Sequence, residues 1–264
     1  MDSDPIFDKG MTCLMVAVIH QQRRLAKYIA AVLPNQLHLR NDDGWDALVF
    51  CSMYGDIELF DFLIKQGMNH RTQTQDGLSC LMSAIRNKQL EMAKHIIKSY
   101  PRHLHDRDRN SWNVLHHCCH SGNVELFQYL VKKGMKPSTC TYDGSTCLLI
   151  AVQNKHFDLI QHIGDKYPEQ LEQRDTQVRD VLLCCNKSRD VRIFDYLEKR
   201  VKSNTRSEEV RTILKIVSKQ LAIMGDEFSK QPKRRNMSGT SLLLRLCKTG
   251  MVSIISVLVV MSKM

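Results

Sequence analysis

Several hallmarks of common protein classes are scarce or missing in this 264-residue sequence. None of its ten cysteines forms a Cys-x-x-Cys pair, so the usual zinc and thiol redox motifs are absent. The longest apolar run, "MVSIISVLVVM" at residues 251–261, has 11 residues and is too short for a membrane-spanning helix. No Gly-rich phosphate loop occurs, and "MDSDPIFDKGMT" does not resemble a secretory signal. These absences exclude a membrane-spanning helix and the commonest phosphate and metal motifs.

What is present is typical of a soluble protein with free thiols. Apolar residues make up 43% of the chain and charged residues 25%, enough for a core and a solvated surface. The cysteines are too sparse for a disulfide scaffold, so we expect a reducing compartment, the cytoplasm or the nucleus. The net charge of +10 is uneven, because residues 201–236 hold nine Lys/Arg against four Asp/Glu. Solubility explains this surplus, and binding of nucleic acid or an acidic ligand is the alternative.

The dominant feature is a repeat with a period of 67 residues. Glycine, cysteine, proline, phenylalanine and leucine positions recur at this spacing, namely Gly10, Gly77 and Gly144, Cys13, Cys80 and Cys147, Pro34, Pro101 and Pro168, Phe60, Phe127 and Phe194, and Leu63, Leu130 and Leu197. Each unit divides into two similar halves of 33 or 34 residues. Apolar residues follow helical spacing and no strand pattern competes. Self-similarity of this kind predicts an all-α solenoid whose stacked units share one core.

The half-units resemble the ankyrin repeat, which runs Gly, a variable residue, Thr-Pro-Leu-His, a small-residue pair, Gly and a longer apolar helix. Here the pattern reads "GMTCLMVAV", "GWDALVFCSMYG", "GLSCLMSAI", "SWNVLHHCCHSG" and "GSTCLLIAV", with weaker copies at residues 178–197 and 239–260. The resemblance implies about seven turn-helix-helix-loop units. The sequence departs from the family in that every copy lacks the motif proline and only the fourth keeps the motif histidine, as His116. Gly67 and Gly134 suit left-handed helix caps in the even repeats.

The five metal-capable side chains "HHCCH" at residues 116–120 have three interpretations. In the ankyrin register Cys118 and Cys119 occupy the small-residue pair, where packing between helices explains them. His116, Cys119 and His120 would share one helix face and could ligate zinc, although no fourth ligand is nearby. Cys119 with a neighbouring histidine could imitate a nucleophile and its base. We favour packing, and therefore expect no metal, cofactor or catalytic residue.

The chain divides into three predicted segments. Residues 1–198 hold repeats one to six, residues 199–236 form a basic insert, and residues 237–264 hold the seventh repeat. Within the insert, "SEEVRTILKIVSKQLAIMGDEF" predicts an amphipathic helix, either packed on the repeats or free to bind a partner. "KQPKRRN" is interpreted as a solvated linker, with a nuclear-import signal or a nucleic-acid contact as alternatives. The apolar final repeat leaves open whether another chain covers it, the chain is truncated or it pairs with itself.

Function is expected on the concave face formed by turn tips and first helices, which ankyrin proteins generally use to bind protein partners. Carrying the family's contact positions onto this sequence and weighing composition selects aromatic, apolar and basic side chains, namely Trp45, Met53, Tyr54, Leu78, Arg86, Trp112 and His120. Each tryptophan could instead pack on its own turn. The resemblance thus predicts a non-catalytic scaffold that binds a protein through repeats two to four. Nucleic-acid or acidic-ligand binding through the basic insert is the alternative function.

Overall fold

The computed structural model describes residues 6–173, Val181, Cys184 and residues 190–204. The chain separates into two units, residues 1–206 and 207–264, and all described residues belong to the first. The predicted amphipathic helix, basic linker and seventh repeat lie outside the described residues, as does most of the segment 174–189 of the predicted sixth repeat. The segment boundaries at residues 198 and 236 therefore stay predictions, and the last described helix runs across the first of them.

The described residues form a stack of helix pairs preceded by a short hairpin. Strands β1 (Ile6–Phe7) and β2 (Met11–Thr12) pair in antiparallel fashion. The helices that follow are α1 (Cys13–Ile19), α2 (Arg23–Val32), α3 (Ala47–Tyr54), α4 (Ile57–Lys65), α5 (Cys80–Arg86), α6 (Leu90–Ser99), α7 (Val114–Ser121), α8 (Val124–Lys132), α9 (Cys147–Gln153), α10 (Phe157–Lys166) and α11 (Val191–Asn204). Short 3-10 turns, Pro34–His38, Pro101–His105 and Pro168–Leu171, follow the second helices of the odd repeats. The all-α ankyrin solenoid predicted from the sequence is confirmed.

In repeats one to five, the first helix begins at a residue whose side chain accepts a hydrogen bond from the helix's first turn. These N-caps are Thr12, Asp46, Ser79, Asn113 and Thr146, all at the position of the motif threonine. Such a cap satisfies a backbone N–H that has no partner inside the helix and stabilises it by about 1 kcal/mol. The caps therefore define the helix starts even though the motif proline is missing from every copy.

In repeats one to five, the first helix is followed within two residues by a residue in the left-handed region. These residues are Gln21, Gly55, Lys88, Gly122 and Lys155, with φ between 55° and 78°. Glycine is needed most at Gly122, because a Cβ there would lie 2.4 Å from the His156 ring, whereas a Cβ on Gly55 would meet the flexible end of Gln89 at 2.5 Å. The predicted left-handed caps of the second helices are confirmed, since φ is 102° at Gly67 and 97° at Gly134.

The core runs along the stack between first and second helices. First helices pack on one another in the order α1, α3, α5, α7 and α9. The motif leucines Leu14, Leu48, Leu81, Leu115 and Leu148 are completely buried. Polar pairs join successive second helices, for example His95 Nε2 of α6 to Asp61 Oδ1 of α4 at 2.8 Å and Lys94 Nζ to Glu125 at 2.9 Å. Each repeat therefore gains its buried surface from its neighbours.

The first repeat shows what a neighbour contributes. Leu25 of α2 is 50% exposed, whereas Met92 and Leu159, one and two periods later, are 1% and 0% exposed. Met92 and Leu159 each follow a preceding repeat in the stack, whereas Leu25 belongs to the first described repeat, and stacking explains the difference in exposure. Across the described part of the chain, no helix has the length and apolar character needed to cross a membrane.

Candidate partner-binding surface

The turn tips between repeats are joined by backbone hydrogen bonds into what we call the tip ladder. The amide of each tip donates to a carbonyl of the preceding tip, in the pairs Asp42 to Lys9 (3.1 Å), Gln75 to Asp43 (3.0 Å), Arg109 to Asp76 (3.0 Å) and Tyr142 to Asn110 (3.3 Å). These bonds fix the spacing of successive tips. Side chains carried by the tips are therefore held in register along one edge of the stack.

Both tryptophans lie on turn tips, and in each tip a side chain at the start of the turn accepts a hydrogen bond from the tryptophan backbone. Asn41 Oδ1 accepts the backbone N–H of Trp45 at 2.7 Å, and Asp108 Oδ1 accepts that of Trp112 at 2.9 Å. Asp108 also contacts His117 Nε2 at 3.1 Å. Burial opposes the ionisation of Asp108, but the contact with His117 and the backbone donors outweighs it and lowers the pKa of Asp108. The Trp112 tip is thereby tied to helix α7.

The indole rings are half-buried, because each packs on the first helix of its own repeat. The Trp45 ring lies 5.1 Å from the Phe50 ring, centroid to centroid. The Trp112 ring lies 5.4 Å from His117 and 5.9 Å from His120. Packing on its own repeat therefore buries part of each tryptophan side chain, and the rest of each side chain is exposed to solvent.

The last turns of the first helices form a second row of candidate residues, which we call the helix-end row. Met53, Arg86 and His120 occupy the same position in α3, α5 and the last turn of α7, and Tyr54 lies beside Met53. Arg86 is exposed and the other three are half-buried. Burial lowers the pKa of His120, and the nearby charge of Arg86 lowers it further. Arg86 and His120 are therefore close enough to interact.

Leu78 differs from the other predicted contact residues because it is only 5% exposed. It holds the tip position of repeat three, between the two tryptophans in register. Its backbone N–H donates to Thr74 Oγ1 at 3.1 Å, and its carbonyl accepts from the Thr74 N–H at 3.0 Å. A leucine is small enough to be covered at this position, whereas an indole is not. Leu78 therefore supports the tip and offers little area for a partner.

His116 is used inside the fold as a cap. Its Nδ1 accepts the Asn113 N–H at 3.3 Å, so Nε2 carries the proton and donates to the Thr139 carbonyl at 2.9 Å. The ring is completely buried, and this burial lowers its pKa to about 4. Both nitrogens of a neutral imidazole are therefore occupied, and His116 has no lone pair free for a metal.

The neighbouring cysteines fill the packing role expected of a small-residue pair. Cys118 and Cys119 are completely buried, and burial raises the pKa of both thiols well above the ordinary value. Proximity to Cys147 of the next repeat raises the pKa of Cys119 further. A protonated, buried thiol is a poor nucleophile and a poor metal ligand. Among the residues that the structure describes, no three His, Cys, Asp or Glu side chains are grouped to hold a metal ion.

Sequence reasoning missed two features of this surface. Tyr142, at the tip of repeat five, is 87% exposed, and its signal was an aromatic residue directly before the "DG" of a turn. Lys88 and Lys155 carry exposed cations at the left-handed positions that end α5 and α9. Their role as helix ends became visible only with the backbone conformation.

Comparison with known proteins agrees with the geometry. The profile of the family described as "Ankyrin repeats (3 copies)" matches residues 14–108 and 81–175, which together exceed half of the chain. The mouse and human proteins named "Protein phosphatase 1 regulatory subunit 27" are each 30% identical to this chain over 91 residues, which is 34% of this chain and 58% of theirs. The chain thus spans little more than half of these relatives.

A nematode relative extends the comparison to a much larger protein. The Caenorhabditis elegans protein "Ankyrin repeat and KH domain-containing protein mask-1" is 23% identical over 114 residues, 43% of this chain and 4% of that protein. Repeat period, helix pairs, tip ladder and family profile all agree, and together they suggest interaction with other proteins. The chain belongs to the ankyrin-repeat family.

Proposed function

We propose that this protein is a non-catalytic scaffold that binds a protein partner through the tips and first-helix ends of repeats two to four. The tip ladder supports this proposal, because it holds the partly exposed rings of Trp45 and Trp112 in register along one edge. Met53, Tyr54, Arg86 and His120 lie on the helix-end row of the same repeats. Aromatic and arginine side chains on a rigid support are typical of interface hot spots.

The choice of residues rests on what a partner can reach. The motif leucines and the cysteines Cys51, Cys118 and Cys119 are buried, so they stabilise the stack and are inaccessible to another protein. Some charged groups of the second helices are engaged in ion pairs between repeats, such as Arg23 with Asp56 at 2.9 Å. The tips and first-helix ends of repeats two to four are preferred because they carry half-buried aromatic side chains and an exposed arginine. The proposed surface consists of Trp45, Met53, Tyr54, Arg86, Trp112 and His120, with Leu78 as its support.

Affinity capture from cell lysate, read by quantitative mass spectrometry, tests this proposal. The wild-type chain is compared with Tyr54→Ala/Trp112→Ala and with Tyr129→Ala as a matched control. Tyr129 is a half-buried aromatic residue on α8, the second helix of repeat four. We expect the double variant to lose a specific partner at least about tenfold, the effect of removing a hot-spot residue, while Tyr129→Ala retains it. Circular dichroism confirms that all three are folded. Equal retention of every captured protein by the double variant would refute the proposed surface.

Regulation of protein phosphatase 1 is the second candidate, favoured by the 30% identity to two proteins named as its regulatory subunits. The purified phosphatase is mixed with the chain, and binding is followed by calorimetry. If this candidate holds, binding is measurable at micromolar concentrations. The absence of heat at such concentrations would remove the phosphatase from consideration and leave the scaffold proposal standing.

A further inference from the structure

The helix-end row and the left-handed residues next to it carry cationic and imidazole groups without any carboxylate. Across repeats one to five this surface contains Ile19, His20, Gln21, Met53, Tyr54, Gly55, Arg86, Asn87, Lys88, His120, Ser121, Gly122, Gln153, Asn154 and Lys155. None of these residues is Asp or Glu. Elsewhere on the stack, exposed cations and carboxylates alternate, as in the Lys94 contacts with Glu91 and Glu125. The one-signed charge is therefore a property of this surface.

Arg86 is the central cation of the surface, and no carboxylate among the described residues pairs with it. Its side chain is exposed and makes no hydrogen bond or ion pair with any described residue. Arg23 and Lys94, by contrast, each contact carboxylates of the next repeat. A guanidinium presents five donors in a planar fork that suits an anionic oxygen pair. Arg86 thus has unused capacity for a carboxylate or phosphate.

The helix end itself does not explain this arginine. A cation in the last turn of a helix gains about 0.3–1 kcal/mol from the helix dipole. The equivalent position is Ile19 in α1, Met53 in α3 and Gln153 in α9, none of which is charged. Those helices form without the cation, so the fold does not require one at this position. The charge is available for recognition of a partner.

The tips at the opposite end of the first helices carry charges of both signs, because exposed Asp42, Asp43 and Asp76 lie there together with exposed Arg109. The helix ends carry cations without a carboxylate, so they are the part of this surface that attracts an anionic group. Between the two lie the Trp112 and His120 rings, 5.9 Å apart, which offer an aromatic wall next to the cation.

We infer that the partner bound by this surface presents an acidic segment, with an anionic side chain bonded to Arg86 and an aromatic or aliphatic neighbour against Trp112. This inference rests on the proposed function, because it names the chemistry that the same surface recognises. The recognised group is the carboxylate of an Asp or Glu on that segment. Lys88 in the same repeat and Lys155 two repeats further along are exposed as well, and they favour additional acidic residues in the segment.

Selection of displayed random linear peptides against the full chain tests the inference. We expect the enriched peptides to contain Asp or Glu next to an apolar or aromatic residue. Their affinity, measured by fluorescence anisotropy, should fall about tenfold or more in Arg86→Glu, and Arg86→Lys should retain part of it. Arg102→Glu is the matched control, an exposed arginine of the same repeat on the 3-10 turn after α6, and it should change affinity less than about twofold.

The outcomes separate the inference from the proposal beneath it. If no acidic peptide is enriched, or if the enriched peptides bind Arg86→Glu as tightly as wild type, the acidic segment is refuted. If Trp112→Ala lowers the affinity for these peptides while Arg86→Glu does not, the binding surface stands and the preference for an acidic segment is refuted. If neither variant lowers the affinity, the proposed surface and the acidic segment are both wrong. Gln in place of the peptide's Glu should abolish the gain in affinity. A phosphoserine peptide that binds at least about tenfold more tightly than the Glu peptide would overturn the assignment to a carboxylate and indicate recognition of phosphate instead.

Discussion

Acidification should destabilise the fold through His116 in a way that can be isolated. The pKa of His116 lies at about 4 in the folded chain against an ordinary value of 6.5, because the ring is buried. The folded state therefore holds the neutral ring, while the unfolded chain binds a proton as the pH falls through 6.5. Stability due to this group is fully present above that value and is lost between pH 6.5 and about 4.

The magnitude follows from the difference between the two pKa values. One pKa unit corresponds to about 1.4 kcal/mol, so moving from pH 7 to pH 4.5 should remove roughly 2 kcal/mol of unfolding free energy through His116 alone. Below pH 4 both states are protonated, and this loss levels off. The ring bridges the Asn113 N–H and the Thr139 carbonyl. Once Nδ1 is protonated it can no longer accept the hydrogen bond from Asn113, and two N–H groups face each other.

Urea unfolding followed by circular dichroism at several pH values, with wild type and His116→Gln, measures this effect. Glutamine keeps an acceptor and a donor but does not titrate. Other groups, including His70, His120 and His162 with lowered pKa values, contribute equally to both proteins and cancel in the comparison. The wild type should lose roughly 2 kcal/mol more than the variant between pH 7 and 4.5. Parallel pH profiles for the two proteins would show that His116 is not buried as a neutral cap.

Three further predictions concern the stack. Gly122→Ala should lower the free energy of unfolding, measured with urea, by about 2 kcal/mol or more, since φ is 78° there and a Cβ would meet a neighbouring ring at 2.4 Å. A smaller loss would show that this position does not need glycine. Leu159→Ala should lower the free energy of unfolding by about 2–5 kcal/mol, whereas Leu25→Ala at the equivalent but half-exposed position should lower it by less than about 1 kcal/mol. Equal losses would disprove the difference in burial between the two leucines. Cys140 is exposed and Cys119 buried, so peptide mapping after alkylation of the native chain should find Cys140 modified first.

The repeat pattern was sufficient to predict the architecture because each element is specified locally. Thr12 and Thr146 mark helix starts, and Gly67 and Gly134 mark helix ends, so periodicity placed the helices without any tertiary information. The cysteine pair was assigned to packing by register alone, and the complete burial of Cys119 confirms that assignment.

The surface was less predictable because exposure and pairing depend on neighbours that are distant in sequence. Leu78 shares its register position with both tryptophans, yet the packing around the tip covers a leucine and leaves an indole half-exposed. The lack of a carboxylate beside Arg86 within the described part of the stack could not be deduced either, since Arg23, another basic residue in the same stack, contacts a carboxylate 33 residues away. Periodicity identifies which positions are equivalent, and only the assembled stack shows which charges remain available.

Site-specific photo-cross-linking in living cells tests most directly whether partners bind at the tips and first-helix ends. A photoreactive phenylalanine analogue is placed at Trp112 on the proposed surface and, in a separate protein, at Tyr129 on the second helix of the same repeat. We predict a discrete cross-linked protein from position 112 and none from position 129, with the product lost in Arg86→Glu. Adducts that arise only from position 129, or equally from both positions, would contradict the account.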